Sequence, residues 1–353
     1  MSGGVDSSVA AWLLREAGHE VIGLFMRHGR QEPESCPTSP SDAPRKQGCC
    51  SASDAADARK VAERLEIPFY AIDFQQEFGR IIEYFIAEYT SGRTPNPCVV
   101  CNTWLKFGKL VEYADSIGAT EIATGHYARL VKTADGRTAL CRGVDPSKDQ
   151  SYVLWGIRPD VLARLQFPIG DYRKDQIRQI AERLGLRHVA EKPDSQEICF
   201  VPNQDHACFI RQNRAVQDTS GAIVTTDGRE VGRHEGVEQF TIGQRKGLGV
   251  AFGEPRYVVR IDAESRQVVV GTRADLARGE LTARGANWFL PPQGPTQCQV
   301  KIRYRSPAIS AVVEPISADR FHVEFLEPCY AVAPGQAAVC YCGDEVIGGG
   351  WID

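Results

Sequence analysis

Apolar and polar positions change rhythm past the middle of the chain. In the first part, helical and extended periods alternate. Val9, Trp12, Leu13 and Ala17 recur at the spacing that places side chains on one helix face, and Gly18 follows as a stop. Val21 to Met26 then reads as a short buried strand. Residues 27–48 are polar and carry four prolines, a long loop. Ser53 opens a helix through Leu65, a strand follows at Phe69–Ile72, and further helical stretches fall near 76–89, 103–116 and 173–185, with a strand at Glu121–Thr124. Strand and helix in alternation predict a parallel sheet covered by helices.

Beyond residue 205 the period shortens. β-Branched runs stand between glycines at Ala222–Thr225, Tyr257–Arg260, Gln267–Val270, Val300–Tyr304, Ala311–Val313 and Ala337–Cys340. Such spacing predicts small β domains or a barrel. The whole is therefore an α/β chain with a β-rich second half. At 353 residues, 42% apolar and 24% charged, it has a globular rather than a disordered composition. No apolar run approaches the ~20 residues that span a bilayer, which excludes a membrane protein of helical type.

Charge refines this picture. The net value of −4 argues against a uniformly basic nucleic-acid coat, yet residues 241–310 hold 11 lysines and arginines against 5 acids, and residues 311–353 hold 1 against 7. The basic block is a candidate phosphate-facing surface. The chain opens on Met1-Ser2-Gly3-Gly4 rather than on an export signal, so a cytoplasmic location is expected. There the 12 cysteines stay reduced unless they are catalytic or bind metal.

Ser2-Gly3-Gly4-Val5-Asp6-Ser7-Ser8 runs directly into the first helix. Two glycines permit tight backbone geometry, and a helix N-terminus offers N–H groups and a positive dipole end, a combination suited to a pyrophosphate. The Gly-Lys-Ser/Thr ending of the P-loop is absent. Asp6 within such a cradle would repel a phosphate unless Mg²⁺ bridges them. Cys98 and Cys101 stand in Thr94-Pro95-Asn96-Pro97-Cys98-Val99-Val100-Cys101, with Cys101 just ahead of a helical stretch whose dipole would favour a thiolate. No second pair stands at zinc spacing. A thiolate that delivers sulfur needs a persulfide or a second thiol to resolve it, and Cys199 in Pro193-Asp194-Ser195-Gln196-Glu197-Ile198-Cys199-Phe200 is the candidate. His126 is open to acid–base duty or to a core role, and Cys340, Cys342, Cys49 and Cys50 read as packing.

With these motifs in place, the chain resembles the bacterial-type tRNA-specific 2-thiouridylases, which belong to the ATP-pyrophosphatase loop enzymes. The likeness rests on SGGVDSS (2–8), GLFM (23–26), TPNPCVVCN (94–102), KFG (106–108), ATGHYA (123–128), KDQSYVL (148–154), FPIG (167–170), PDSQEICF (193–200), FTIGQRKGLG (240–249) and KIRYRS (301–306). It implies a parallel-sheet ATP-pyrophosphatase catalytic domain over 1–204, a small central β-rich tRNA-contacting domain over 205–275, and a C-terminal β-barrel over 276–353. The family carries a strand ahead of the ATP loop, so a truncated or misassigned start, with that strand missing, is expected.

The implied reaction is ATP-dependent 2-thiolation of the wobble uridine of tRNA, with a cysteine desulfurase or sulfur-relay protein as donor. Cys101 matches the nucleophile and Cys199 the persulfide carrier, a pair that can close as a disulfide. Ser2, Gly3, Gly4, Val5, Asp6, Ser7 and Ser8, with Met26 and Gly125, match the ATP site, with Mg²⁺ on the phosphates. Asn96, Pro97 and Cys98 match the segment facing the base; Lys148, Asp149 and Gln150, and Arg303, Tyr304 and Arg305, match tRNA-contacting stretches. Cys98 stands where the family often has Asp, and with Cys101 and Cys199 it offers three ligands for a [4Fe-4S] cluster. Two rivals stay open: another adenylating enzyme sharing the loop, and a tRNA-binding protein with a dead nucleotide site.

Overall fold

A computed structural model describes residues 1–28, 52–192, 198–201, 205–214 and 218–353. Cys49 and Cys50 lie outside them. The chain forms two units, Met1–Arg80 with Cys101–Asp205, and Ile81–Val100 with His206–Asp353. Among the described residues no helix is long and apolar enough to cross a membrane.

The elements run α1 (Val5–Glu16), β1 (Gly23–Arg27), α2 (Ala52–Arg64), β2 (Phe69–Asp73), α3 (Gln75–Thr90) and α4 (Pro97–Val100). A π-helical stretch, Cys101–Lys109, leads into α5 (Leu110–Ser116). Then come β3 (Ile122–Ala123), β4 (Ala128–Lys132), β5 (Thr138–Arg142), β6 (Leu165–Gln166), α6 (Lys174–Arg183) and α7 (Arg187–Ala190). In this first unit β1 pairs in parallel with β2, and β3 with β6. The helical stripe of α1 packs Val5, Val9 and Ala10 against Val61 of α2 and Ile177, Ile180 and Ala181 of α6. Gly18 ends the helix as expected, at φ +87°, because its carbonyl-capping turn needs a left-handed residue.

The hairpin of β4 and β5 was not foreseen. Its signal was Asp135-Gly136, with Gly136 at φ +84° in the turn. The helix expected near 103–116 also starts earlier. Asn96 accepts the Val99 N–H through its side chain at 3.3 Å, and Pro97 takes the first helical position, where its missing N–H costs nothing.

From His206 on, the second unit holds α8 (His206–Asn213) and then, apart from short 3₁₀ turns at Val237–Gln239 and Ala274–Leu276, strands: β7 (Gly221–Thr225), β8 (Glu230–His234), β9 (Tyr257–Asp262), β10 (Gln267–Gly271), β11 (Ala277–Trp288), β12 (Thr296–Lys301), β13 (Ile309–Pro315), β14 (Arg320–Tyr330), β15 (Ala337–Cys342) and β16 (Glu345–Ile352). The central sheet has the order β8-β7-β10-β9, with β7 and β10 parallel. Ile223, Val258, Val268 and Val270 fill its core with Phe240. Strands β11 to β16 close into an antiparallel barrel, since β11 pairs with both β14 and β16.

Long β11 and β16 escape the sequence pattern because they are polar or glycine-rich, whereas β14 alternates Phe321, Val323 and Phe325 with polar residues. The glycines of β16 have a reason. A Cβ on Gly348 would sit 2.3 Å from the Trp288 ring, and one on Gly350 2.7 Å from the Phe321 ring. Those rings meet at 5.0 Å inside the barrel, so the strand trades side chains for aromatic volume. Phe321→Ala removes a fully buried ring and is expected to cost about 3–5 kcal/mol. A lowered urea midpoint in tryptophan fluorescence checks this; an unchanged midpoint contradicts it.

Candidate functional site

The loop ahead of α1 is shaped by two close backbone approaches. Gly3 has φ +71°, and a Cβ there would stand 2.3 Å from the Asp54 carbonyl oxygen. A Cβ on Gly125 would reach 2.8 Å from the backbone of Asp6 and Ser7. Only glycine allows both contacts. Gly4 precedes α1 in an extended conformation and gives no side-chain cap. The first N–H groups of the helix therefore point outward with the positive dipole end. Ser2 N–H donates to Ser7 Oγ at 3.0 Å, the two hydroxyls lie 3.2 Å apart, and Ser8 Oγ donates to Gly4 O at 2.9 Å. Outward amides and paired hydroxyls fit a pyrophosphate. Met26, half-buried on β1, belongs to the same unit.

Asp6 has a partner that the sequence did not reveal. Lys174 Nζ donates to both carboxylate oxygens at 2.8 Å, and Tyr127 Oη donates to Oδ1 at 2.7 Å. Lys174 is 9% exposed, and its ammonium lies 5.5 Å from the centre of the Tyr127 ring. The pair cancels the negative charge in the cradle, the task the sequence reading gave to Mg²⁺. A second lysine holds the other side. Lys192 Nζ donates to Gly3 O at 3.1 Å, Asp54 Oδ1 at 2.9 Å and Asp57 Oδ2 at 2.6 Å. Burial pulls this ammonium down, but its bonds to Asp57 and Asp54 outweigh that and hold it above the ordinary lysine value.

The signal for Lys174 was a broken local rule. It is the first residue of α6, where a cation opposes the helix dipole. Asp145 eases this by accepting the Lys174 N–H at 3.1 Å.

Cys101 and Cys199 are both half-buried in this first unit. Cys101 opens the π-helical stretch, with α4 already before it in the chain, so it does not occupy the helix N-terminal position expected for it. Asn102 Nδ2 fastens that stretch to Val153 O at 3.1 Å. Beside Cys199, Phe200 packs edge-on against Phe78 at 5.6 Å. Asn96 and Pro97 are buried and Cys98 is exposed, all in the second unit. Among the described residues no group of three or more His, Cys, Asp or Glu side chains is arranged to hold a metal ion, so the iron–sulfur expectation finds no support.

Several residues expected at tRNA have internal work. Asp149 is buried and accepts the N–H groups of Gly143 and Ser151 at 3.2 and 3.1 Å. Gln150 grips the backbone of Tyr127 through Oε1 at 3.0 Å, which steadies the phenol bonded to Asp6. Lys148 is half-buried. In the second unit, Arg303 donates to Ile242 O at 2.7 Å and Ala331 O at 3.0 Å, tying central sheet to barrel. Tyr304 and Arg305 are exposed.

His126 is enclosed by Phe107 and Phe167, with Nδ1 2.7 Å from Thr124 Oγ1. Burial, aided by the Lys106 charge, drives its pKa well below 6.5. It is a neutral packing residue, the blander of its two readings.

Residues 1–203 match the family model described as tRNA methyl transferase HUP domain, 208–272 the tRNA methyl transferase PRC-barrel domain, and 278–352 the aminomethyltransferase β-barrel domain. The tRNA-specific 2-thiouridylase MnmA of Rhodopirellula baltica is 50% identical over 100% of this chain and 94% of its own length. Those of Geotalea uraniireducens and Geobacter metallireducens are 49% and 48% identical, again over 100% of this chain and over 93% and 95% of their own lengths.

Lys174→Ala leaves Asp6 uncompensated and is expected to weaken ATP binding by roughly 10–100-fold, since breaking an enclosed ion pair is costly. Asp6→Asn combined with Lys174→Ala should recover part of it. Titration with a fluorescent ATP analogue checks both; a double variant as weak as the single one contradicts charge cancellation. For His126, the unfolded imidazole takes up a proton near pH 6.5 while the folded one resists. Stability is then complete above that pH and falls below it, by at most about 1.4 kcal/mol per pH unit from this group. Urea titrations at about pH 7.5 and 5.5 should show a smaller loss for His126→Asn than for the wild type.

Proposed function

The chain belongs to the tRNA-specific 2-thiouridylase family, and on that footing we propose that it replaces the C2 oxygen of the tRNA wobble uridine with sulfur. The observation that carries this reading is one unit holding both the charge-balanced phosphate loop and two half-buried cysteines, Cys101 and Cys199. ATP supplies the AMP group that turns the C2 oxygen into a leaving group, with pyrophosphate departing. The amides at the start of α1 and the Ser2 and Ser7 hydroxyls receive the phosphates. Mg²⁺, when bound with ATP, would add positive charge on the phosphates, while Asp6 is engaged by Lys174.

Cys199 carries the incoming sulfur as a persulfide, loaded by a cysteine desulfurase or a sulfur-relay protein. Cys101 attacks Cys199 Sγ. A disulfide forms between them and the bond to the outer sulfur breaks, so the electron pair stays on that sulfur, which ends on C2 whether it bonded there before or after the attack. A cellular dithiol then reduces the disulfide. The uridine must leave its stack to reach this site. Asn96, Pro97 and Cys98 face the base, Lys148 and the exposed Tyr304 and Arg305 meet the tRNA, and the basic block over 241–310 follows its backbone. Domain boundaries at 204/205 and 275/276 and a cytoplasmic setting belong to the same reading.

Cys101→Ala and Cys199→Ser should each bind tRNA as the wild type does and form no 2-thiouridine, measured by mass spectrometry of digested tRNA. Full activity in either overturns the assignment. Release of pyrophosphate that requires both ATP and tRNA separates the enzyme from a binding protein with a dead loop.

A further inference from the structure

The stretch ahead of Cys101 is gripped by a turn of the C-terminal barrel. Thr94 N–H donates to Pro334 O at 2.8 Å. Gln336 Nε2 donates to Thr94 O at 3.1 Å and to Pro95 O at 3.0 Å. An amide nitrogen carries two N–H groups, and here each meets one carbonyl. These carbonyls lie before α4 begins at Pro97, outside its hydrogen-bond ladder, so their donors come from elsewhere in the fold. Gly335 makes the approach possible. It has φ +88°, and a Cβ there would lie 2.8 Å from both Thr94 O and Glu88 Oε2.

The grip is rooted in the barrel itself. Ile352 N–H donates to Gln336 O at 2.8 Å, and Gly335 N–H donates to Ile352 O at 3.0 Å. Arg93 Nη2 donates to that same Ile352 carbonyl at 3.1 Å, with its Nε held by Glu88 at 2.9 Å. Thr94 and Asn96 are both buried. The backbone is thus fixed on both sides of Thr94, and the two prolines carry that order into the cap at Asn96 and onward to Val100.

We infer that Gln336 is a positioning residue for thiolation: through the Thr94 and Pro95 carbonyls, the barrel aims the segment that ends in Cys101. This rests on the reading of Cys101 as the nucleophile. No other side-chain chemistry replaces the amide well. Alanine has no donor, and glutamate turns an oxygen toward two carbonyl oxygens until it is protonated.

The test uses the full-length enzyme in single-turnover thiolation of tRNA. Gln336→Ala should lower kcat by roughly tenfold or more, the scale of a misplaced reacting group, with KM for ATP and Kd for tRNA within about twofold of wild type. Gln336→Glu should be slower still at neutral pH, and its kcat relative to wild type at the same pH should rise on acidification, as the acid gains a proton to donate. Wild-type kcat in both variants, or a Gln336→Glu ratio flat with pH, overturns the inference. A loss confined to tRNA affinity also overturns it, as that marks a tRNA contact instead. Cys101→Ala is run alongside. If it is inactive while Gln336→Ala is fully active, only the anchor falls; if it is active, the nucleophile reading falls and takes the anchor with it.

Discussion

One charge cancellation governs the loop ahead of α1. A carboxylate at position 6 stands among the amides and hydroxyls that suit a phosphate, where an uncompensated negative charge would work against the ligand. Lys174 answers it from α6 with two short bonds, and Tyr127 adds a third from the segment before β4. Three separate pieces of chain therefore converge on one side chain. Gln150 fixes the backbone of Tyr127 and Asp145 fixes that of Lys174, so the neutral cradle depends on a second ring of contacts around the first. Lys192 does the corresponding job at Gly3, where it joins the loop to the start of α2.

Close packing supplies what charge does not. Gly3 against Asp54 and Gly125 against Asp6 and Ser7 bring backbones nearer than any side chain allows. The same device recurs in the barrel, where Gly348 and Gly350 make room for Trp288 and Phe321. In one place the space left by a missing Cβ is filled by the protein's own backbone, and in the other by its aromatic rings.

Much of this was legible in the chain. The alternation of helix and strand and the β-rich second half followed from local pattern, whereas Cys199 drew notice only through what Cys101 would need and through the family resemblance. Local pattern failed where long-range contacts decide. The strands β11 and β16 lack the apolar alternation of ordinary strands because their partners, not their propensities, set them. Asp149 and Arg303 looked like surface contacts by motif, yet their side chains are taken by backbone groups distant or adjacent in sequence. The partner of Asp6 lies 168 positions away, beyond the reach of any window.

Lys174 has one more consequence. At the first turn of α6 an acidic residue would suit the helix dipole better, and the neighbouring Asp175 already does so. Any search for a more stable protein that scores helices by their own ends will therefore favour replacing Lys174, although removing one partner of this enclosed ion pair costs more than the helix dipole returns. With an acidic replacement, the loop ahead of α1 would face two carboxylates in place of an ion pair. At this position a rule for isolated helix ends misleads, and Lys174 should be held constant when the enzyme is engineered for robustness.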